Sequence, residues 1–267
     1  MSEAPRDLQA AERALDAVAA IRQVVQAVWT LARAQQSRVE EAAGEASAYL
    51  GWVEELVGRF GGDPPEEAAG RALWVVVGPE RPFCGGLARR LLEQVPRQDS
   101  LLLVGRRLAD AVPAVGPLHS SIVSALPAAA GPEDIDPCAR RVAATLLELD
   151  HAGPVGMLHP ADGGSDLQRA PLLAAGPRHT RLALETYSPP ETVLAAAIHE
   201  ALSGRLVVGL AEGLRTEVRA RLVAADAARQ GCDRKLEALR QQWRVLRQEA
   251  ITGELLELFS GRLAELG

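Results

Sequence analysis

The residues with the clearest chemical potential lie in a glycine-rich turn at 78–86, which follows an apolar run and precedes a helical stretch. Turns of this kind bind phosphates in α/β folds, because free backbone N–H groups and a helix dipole face the anion. The pattern here, GPERPFCGG, matches neither G-x-G-x-x-G nor a P-loop that ends in Gly-Lys-Ser/Thr. A structural role for Gly85 and Gly86, which would let the helix start close to the sheet, is therefore favoured over nucleotide binding.

Cys84 lies in the same turn, at the predicted start of a helix, where a lowered thiol pKa would make it a nucleophile. That chemistry needs a base nearby, and none of the five histidines has a recognisable catalytic spacing. His151 and His159 could approach each other, but no third ligand for a metal is evident. A buried structural thiol is favoured, with a cysteine enzyme as the minor alternative. We predict no catalytic, cofactor-binding or metal-binding residue, and so no active site of the chain's own. The histidines are His119, His151, His159, His179 and His199.

The bulk composition excludes several classes of protein. With 267 residues and 48% hydrophobic content, the chain can bury a core and does not resemble a disordered protein. Its net charge of −6 argues against a nucleic-acid binder. The three cysteines, Cys84, Cys138 and Cys232, lack the spacing of a metal site or redox pair and favour a reducing compartment. No apolar run reaches the roughly 18 residues of a membrane span, and no secretory signal is evident.

A heptad pattern of small and apolar residues organises the first sixty residues. The steps alternate between three and four, which predicts a long helix in a left-handed coiled coil. Residues 61–65, GGDPP, end the helix. The predicted contact positions are Val18, Ile21, Val25, Val28, Ala32, Gln35, Val39, Ala42, Ala46, Tyr49, Val53, Leu56 and Phe60.

A second heptad pattern runs through the last sixty residues, which contain no proline. Past Ala250 the apolar positions shift to Ile251, Leu255, Leu258 and Leu266, so we expect the helix to leave the coiled coil there. The simplest partner for each terminal helix is the other one, antiparallel, although homodimerisation through one of them stays open. The predicted contact positions are Leu222, Ala225, Arg229, Cys232, Leu236, Leu239, Trp243, Leu246 and Ala250.

The middle of the chain has the texture of an α/β layer domain with a mainly parallel sheet. Buried strands are predicted at 72–78 and 101–105, and further strands at 119–126, 154–159, 167–174 and 181–185. Helices are predicted at 85–95 and 132–150, with another opening at 188–191, where Ser188 is a plausible N-cap. Loops are expected at 112–116 and 161–164. We therefore predict a coiled-coil helix at 1–62, a Rossmann-like domain at 66–205 and a second coiled-coil helix at 206–267.

Several segments, in order, resemble the γ subunits of F-type ATP synthases. Residues 247–261 are similar to the family signature RQ-x-x-IT-x-E-x-x-E-x-x-x-G, and residues 217–225 to its E-x-x-ARM-x-AM stretch. The turn Cys84-Gly85-Gly86 is similar to GLCGG, and residues 101–107 to a strand that ends in Gly-Arg-Lys. Tyr187-Ser188-Pro189 stands where the family has Glu-Pro-Ser-Pro, and residues 24–34 are similar to ITKAMKMVAAAK in apolar pattern only.

The resemblance implies a non-catalytic rotor subunit of a proton- or sodium-transporting complex. The implied partners are the α and β subunits, the ε subunit and the c-ring. Arg247, Gln248 and Thr252 would contact the catch loops of β, while Cys84, Gly85 and Gly86 would form a structural turn. The implied location is the cytoplasmic side of a bacterial inner membrane, peripheral and without a membrane-spanning segment of the chain's own.

The chain also departs from the family pattern. Gln26, Trp29 and Gln35 stand at or near positions that are usually Lys or Met, and Pro82-Phe83 replace Gly-Leu before Cys84. These departures indicate a divergent γ subunit, for which a sodium-type complex and a degenerate paralogue both stay open. A stand-alone coiled-coil interaction protein derived from the γ fold is the alternative function.

Overall fold

The computed structural model describes residues 4–60, 70–95, 98–115, 121–149, 151–161, 166–172 and 187–264. The chain forms two compact units, one of residues 1–31 with 223–267 and the other of residues 32–222. Long N- and C-terminal helices accompany a central five-stranded sheet, which confirms the predicted fold class. The domain boundaries predicted at 62–66 and 205–206 stay a prediction.

The terminal helices are α1 (Ala4–Phe60) and α5 (Pro190–Ala264). Pro190 takes the first helical position of α5, where its missing N–H costs nothing, and the N–H groups of Thr192 and Val193 donate to the Pro189 carbonyl. The C-terminal helix was predicted to begin at 206, with a separate one opening at 188–191, but the two are one helix. No proline lies between Pro190 and Ala264, so nothing in the sequence forces a break.

In the unit of residues 1–31 and 223–267, the two helices run antiparallel. Arg22 forms an ion pair with Asp233 at 2.5 Å, and the Trp243 indole donates to Glu12 at 3.1 Å. Ala225, Leu236 and Leu239 are buried at predicted contact positions. The prediction for Ile21 was wrong. It is 55% exposed, because the charged Arg22 takes the position that faces α5.

In residues 32–222 the buried stripe of α1 departs from the predicted heptads. Val53 is buried as predicted, whereas Ala43 is buried at a position that was not predicted and Leu56, predicted as a contact residue, is 41% exposed. Tyr49 is 50% exposed, but its hydroxyl donates to Glu200 of α5 at 2.7 Å, so it does contact that helix. After Val39 the packed surface widens to include Ala43 beside the predicted Ala42 and Ala46, because this part of α1 packs on the domain core as well as on α5. The side chain of Phe60 lies outside the described residues.

The sheet has the strand order β3-β2-β1-β4-β5, with β1 to β4 parallel and β5 antiparallel to β4. Its strands and the helices between them confirm the predicted Rossmann-like alternation. The strands are β1 (Leu73–Val77), β2 (Ser100–Val104), β3 (Ser121–Leu126), β4 (Val155–Ala161) and β5 (Asp166–Pro171). The helices are α2 (Leu87–Glu93), α3 (Arg106–Val115) and α4 (Ile135–Glu148), the last preceded by a 3-10 turn at Pro132–Asp134.

Helices cover both faces of the sheet. Val75, Val77, Leu102 and Val104 pack with residues of α1, α4 and α5. The alternate residues of the same strands, such as Val76, pack with α2 and α3 on the other face. Burial on both faces explains why the strands are continuous apolar runs.

The prediction of a loop at 112–116 was wrong for residues 112–115, since α3 continues to Val115 with Pro113 inside it. Leu108 is buried, and Val112 and Val115 pack on the same apolar cluster, so tertiary packing outweighs the helix-breaking tendency of the proline. The strand predicted at 181–185 lies outside the described residues, as do residue 116 and most of the loop predicted at 161–164.

Within the described residues one helical stretch, Pro190–Ser260, is long and apolar enough to span a membrane by composition, with a hydropathy of 1.5. Its Leu206, Leu210 and Leu214 are buried in the core of the α/β unit. Of the apolar window in this helix, 33% is buried inside the fold.

Candidate functional site

The predicted partner-binding residues lie on the exposed C-terminal part of α5. Arg247, Gln248 and Thr252 are all exposed. The Arg247 guanidinium stacks 5.0 Å from the ring of Trp243, and this cation–π contact orients it along the helix. The Thr252 hydroxyl donates to the Gln248 carbonyl at 2.9 Å, so Gln248 and Thr252 lie one turn apart on the same face.

A run of exposed apolar side chains follows these residues on α5. They are between 49% and 70% exposed, as expected from the shift in apolar positions after Ala250. Concentrated apolar surface of this kind marks an interaction site in a folded protein. The residues are Ile251, Leu255, Leu256, Leu258 and Phe259.

The turn after β1 has the tight backbone expected of a structural turn. Phe83 and Gly85 have positive φ angles of 69° and 58°. Glycine adopts such a conformation without strain, and this is the role that Gly85 serves. A Cβ on Gly86 would meet only the flexible end of Arg90, at 3.1 Å, so steric need there is slight.

Cys84 lacks the properties of a nucleophile. Burial raises the pKa of its thiol to about 12, and the nearby Glu217 carboxylate acts in the same direction. Its Sγ donates to the Arg81 carbonyl at 3.1 Å. An enzyme that used Cys84 as its nucleophile would need a lowered thiol pKa, and the hypothesis of a lowered pKa is therefore wrong. Burial outweighs any effect of the seven-residue helix α2 on this thiol.

Backbone N–H groups at the carboxyl edge of the sheet already bind a carboxylate of the chain itself. Glu80 accepts hydrogen bonds from the backbone N–H of Arg106, at the start of α3, and of Ala128, after β3, each at 2.9 Å. Its side chain is 10% exposed and pairs with the Arg106 guanidinium at 3.0 Å. An anion that approached this edge of the sheet would meet the negative charge of Glu80, which already accepts hydrogen bonds from these N–H groups.

A second buried carboxylate, Glu217 on α5, binds the turn itself. The backbone N–H groups of Glu80 and Arg81 donate to its two oxygens at 2.8 and 3.2 Å. Glu217 is 1% exposed, and burial raises its pKa, although these hydrogen bonds and Arg221 act in the opposite direction. Arg221 lies 3.6 Å away and also donates to Gln35 on α1 at 3.3 Å.

The described histidines do not form a metal site. His151 contacts the Arg71 carbonyl at 2.8 Å, while His159 is buried in β4, where burial lowers its pKa. Among the described residues no group of three His, Cys, Asp or Glu side chains could hold a metal ion. His119 and His179 lie outside those residues.

A protein-family model described as ATP synthase matches residues 7–264, nearly the whole chain. The chain belongs to the ATP synthase γ family. The fold is similar to a chain in the structure of the central stalk and c-ring of the mitochondrial ATP synthase of Tetrahymena thermophila. The TM-score is 0.55 at 13% identity, over 77% of this chain and 99% of that one. A comparison with curated proteins found no match.

The sequence predicts Arg247, Gln248 and Thr252 as partner-binding residues of this γ chain, which stays a prediction, and it did not reveal the two buried carboxylates. Glu217 was noted only as the first residue of a family motif, and Glu80 only as part of a turn. A charged residue between apolar neighbours, such as Glu217 before Val218, was the available signal. The contacts between residue 80 and residues 106, 128 and 217 are long-range, and local patterns do not reveal them.

Proposed function

We propose that this chain is the central-stalk rotor subunit of a rotary F-type ATP synthase. In this role it couples ion-driven rotation of a c-ring to ATP synthesis or hydrolysis in an α3β3 hexamer. The observation that carries the proposal is the family match over residues 7–264. The antiparallel terminal helices and the α/β domain provide the parts that such a rotor needs.

The exposed C-terminal part of α5 is the surface proposed to meet the β subunits. Arg247 can form charge-assisted, bidentate hydrogen bonds with carboxylates, and Gln248 adds neutral donors and an acceptor beside it. The apolar side chains from Ile251 to Phe259 would turn within an apolar bearing formed by the hexamer. Apolar contact suits a bearing because it is non-directional and does not favour one angle strongly.

The α/β domain is proposed to face the c-ring and the ε subunit. The backbone N–H groups that could bind a phosphate at this edge of the sheet already bind Glu80 and Glu217, so we assign ATP chemistry to the hexamer and mechanical coupling to this chain. The chain is part of a membrane-associated complex. We place it on the cytoplasmic side of a bacterial inner membrane, held there by other subunits.

Reconstitution tests this function directly. The chain is mixed with the α and β subunits encoded nearest to it, and ATP hydrolysis is assayed across a size-exclusion peak. We expect a co-eluting complex whose hydrolysis depends on this chain. If the chain elutes apart from the hexamer, the rotor function is wrong, and a stand-alone interaction protein built on the γ fold takes its place.

A further inference from the structure

Among the described residues the interface between α5 and the sheet is mainly apolar. Its polar contacts include Arg205, which donates to the Leu172 carbonyl after β5 at 2.8 Å, and Glu217, which binds the turn after β1. Leu210, Leu214 and Val218 on α5 are buried in the same cluster as Val75 and Val77 of β1. Apolar contacts hold two surfaces together, but they depend weakly on angle, because the hydrophobic effect is non-directional. The close approach of Gly213 to Val77 restrains the orientation of α5 by shape, and directional polar contacts add a restraint of their own.

Hydrogen bonds are directional, and two from one carboxylate fix an orientation. The two oxygens of Glu217 receive the N–H groups of successive residues, Glu80 and Arg81, so the helix face that bears Glu217 must point at this turn. With Glu217 1% exposed, water competes poorly for these hydrogen bonds.

The contact reaches beyond the turn on both sides. The Glu80 side chain binds the N–H groups of Arg106 and Ala128, so the turn is tied to the ends of β2 and β3. On the helical side, Arg221 pairs with Glu217 and donates to Gln35 of α1. A continuous polar chain therefore runs from both long helices to the carboxyl ends of three strands.

We propose that Glu217 is a positioning residue that resists rotation of α5 relative to the sheet domain, and that torque passes through it. This inference rests on the proposed rotor function, in which the domain receives rotation and the helices deliver it. Glu217 touches no substrate, so its effect is on coupling rather than on the chemical step.

The test replaces Glu217 by Gln in the complete complex reconstituted in vesicles. Glu217→Gln keeps the shape but turns one hydrogen-bond acceptor into a donor that faces a backbone N–H. Hydrolysis and the membrane potential that it generates are measured together, the latter with a voltage-sensitive dye, which works for any coupling ion. We expect hydrolysis to stay within about twofold of the wild type, while the potential per ATP hydrolysed falls about threefold or more.

Two further measurements separate coupling from folding. Hydrogen exchange at the amides of Glu80 and Arg81 should rise in Glu217→Gln, which shows that their bonds are lost. The matched control is Glu212→Gln on the same helix, which removes a carboxylate that is 15% exposed and pairs with Arg215. This control should couple like the wild type.

Each result of these experiments supports or overturns the proposed role of Glu217. If the wild-type chain fails to confer hydrolysis, the rotor function itself is wrong. If Glu217→Gln exchanges faster at these amides but couples normally, the positioning role is wrong. Should Glu217→Gln fail to assemble, Glu217→Asp keeps the charge beside Arg221 but shortens the reach, and the same coupling loss is expected. Failure of both variants to assemble would mean that Glu217 serves folding alone, which overturns the proposal.

Discussion

Gly213 of α5 lies directly over Val77 of β1, so close that a Cβ built on the glycine overlaps Cγ1 of the valine. One turn earlier on α5, a Cβ on Gly209 would overlap the Met157 side chain of β4. The absence of side chains at these two positions lets the helix backbone approach the sheet, and the core forms around that approach.

Gly213→Ala should therefore destabilise the protein, by about 1–3 kcal/mol, through overpacking. Val77 is β-branched and buried, so it cannot rotate away as easily as a flexible side chain. The free energy of unfolding from urea titrations, followed by far-UV circular dichroism, measures the effect.

Gly51→Ala is the matched control for Gly213→Ala. Gly51 lies within α1, and a Cβ there has nothing within 4 Å. With no steric cost, the substitution should stabilise the protein by about 0.5–1 kcal/mol, because alanine loses less backbone entropy in a helix. Equal effects of the two substitutions would contradict the close approach at Gly213.

The sequence predicted the elements better than their packing. The strands at 72–78 and 101–105 were predictable because burial on both faces leaves continuous apolar runs. The contact positions from Ala225 to Leu246 were predictable because that helix faces a single partner. On α1 the heptads placed Leu56 wrongly and missed Ala43, since past Val39 the helix faces a domain core as well as a helix, and a 3.5-residue repeat describes only the latter.

In the candidate site, too, residues within one sequence motif could be predicted, whereas contacts between distant residues could not. Arg247, Gln248 and Thr252 stand in a contiguous motif, so a resemblance between sequences was enough to propose them as partner-binding residues. The contacts of Glu217 and Glu80 join residues up to 137 positions apart, and only the fold brings them together. The continuation of α3 through Pro113 was missed for a related reason, because packing outweighed the local preference of the proline.

The thiols should differ in reactivity according to their burial. With a pKa of about 12, only about one Cys84 thiol in ten thousand is ionised at pH 8. Cys138 is also buried with a raised pKa, whereas Cys232 is partly exposed. Titration of the folded protein with a thiol reagent at pH 8 should label Cys232 first, and Cys232→Ser should remove this fast phase. Rapid labelling of Cys84 in the folded variant would contradict its burial.

The raised pKa of Cys84 also predicts how stability changes in alkaline solution. Below the ordinary thiol pKa of 9.0 the group is neutral in both the folded and unfolded states, so its contribution is unchanged. Above that pH the unfolded state loses the proton while the folded state keeps it, so stability falls as pH rises from 9.0 towards 12. Cys84→Ala should flatten this part of the curve of unfolding free energy against pH, whereas Cys232→Ala should leave it unchanged.

Replacing Arg247 or Gln248 by Ala should lower ATP turnover of the assembled complex by about threefold to tenfold, through loss of hydrogen bonds to a charged partner. Both side chains are exposed, so the isolated chain should unfold at the same urea concentration as the wild type. Arg240→Ala, an exposed arginine two turns earlier on α5, is the control and should turn over normally. Unchanged turnover in both test variants would count against the assignment.

The apolar end of α5 allows the surface role to be tested without a charge change. Leu255 and Leu258 are 50% and 70% exposed, so replacing both by Ser should shift the unfolding free energy of the isolated chain by less than about 1 kcal/mol. In the complex the same side chains are expected to be buried in the bearing, and the added hydroxyls would be desolvated there. Turnover under saturating ATP should therefore fall while the chain still co-elutes with the hexamer.

Leu239→Ser is the control and should lower the unfolding free energy of the isolated chain, because Leu239 is already buried there. A Leu255/Leu258 double variant that unfolds as early as Leu239→Ser would show that these side chains support the fold rather than the partner surface.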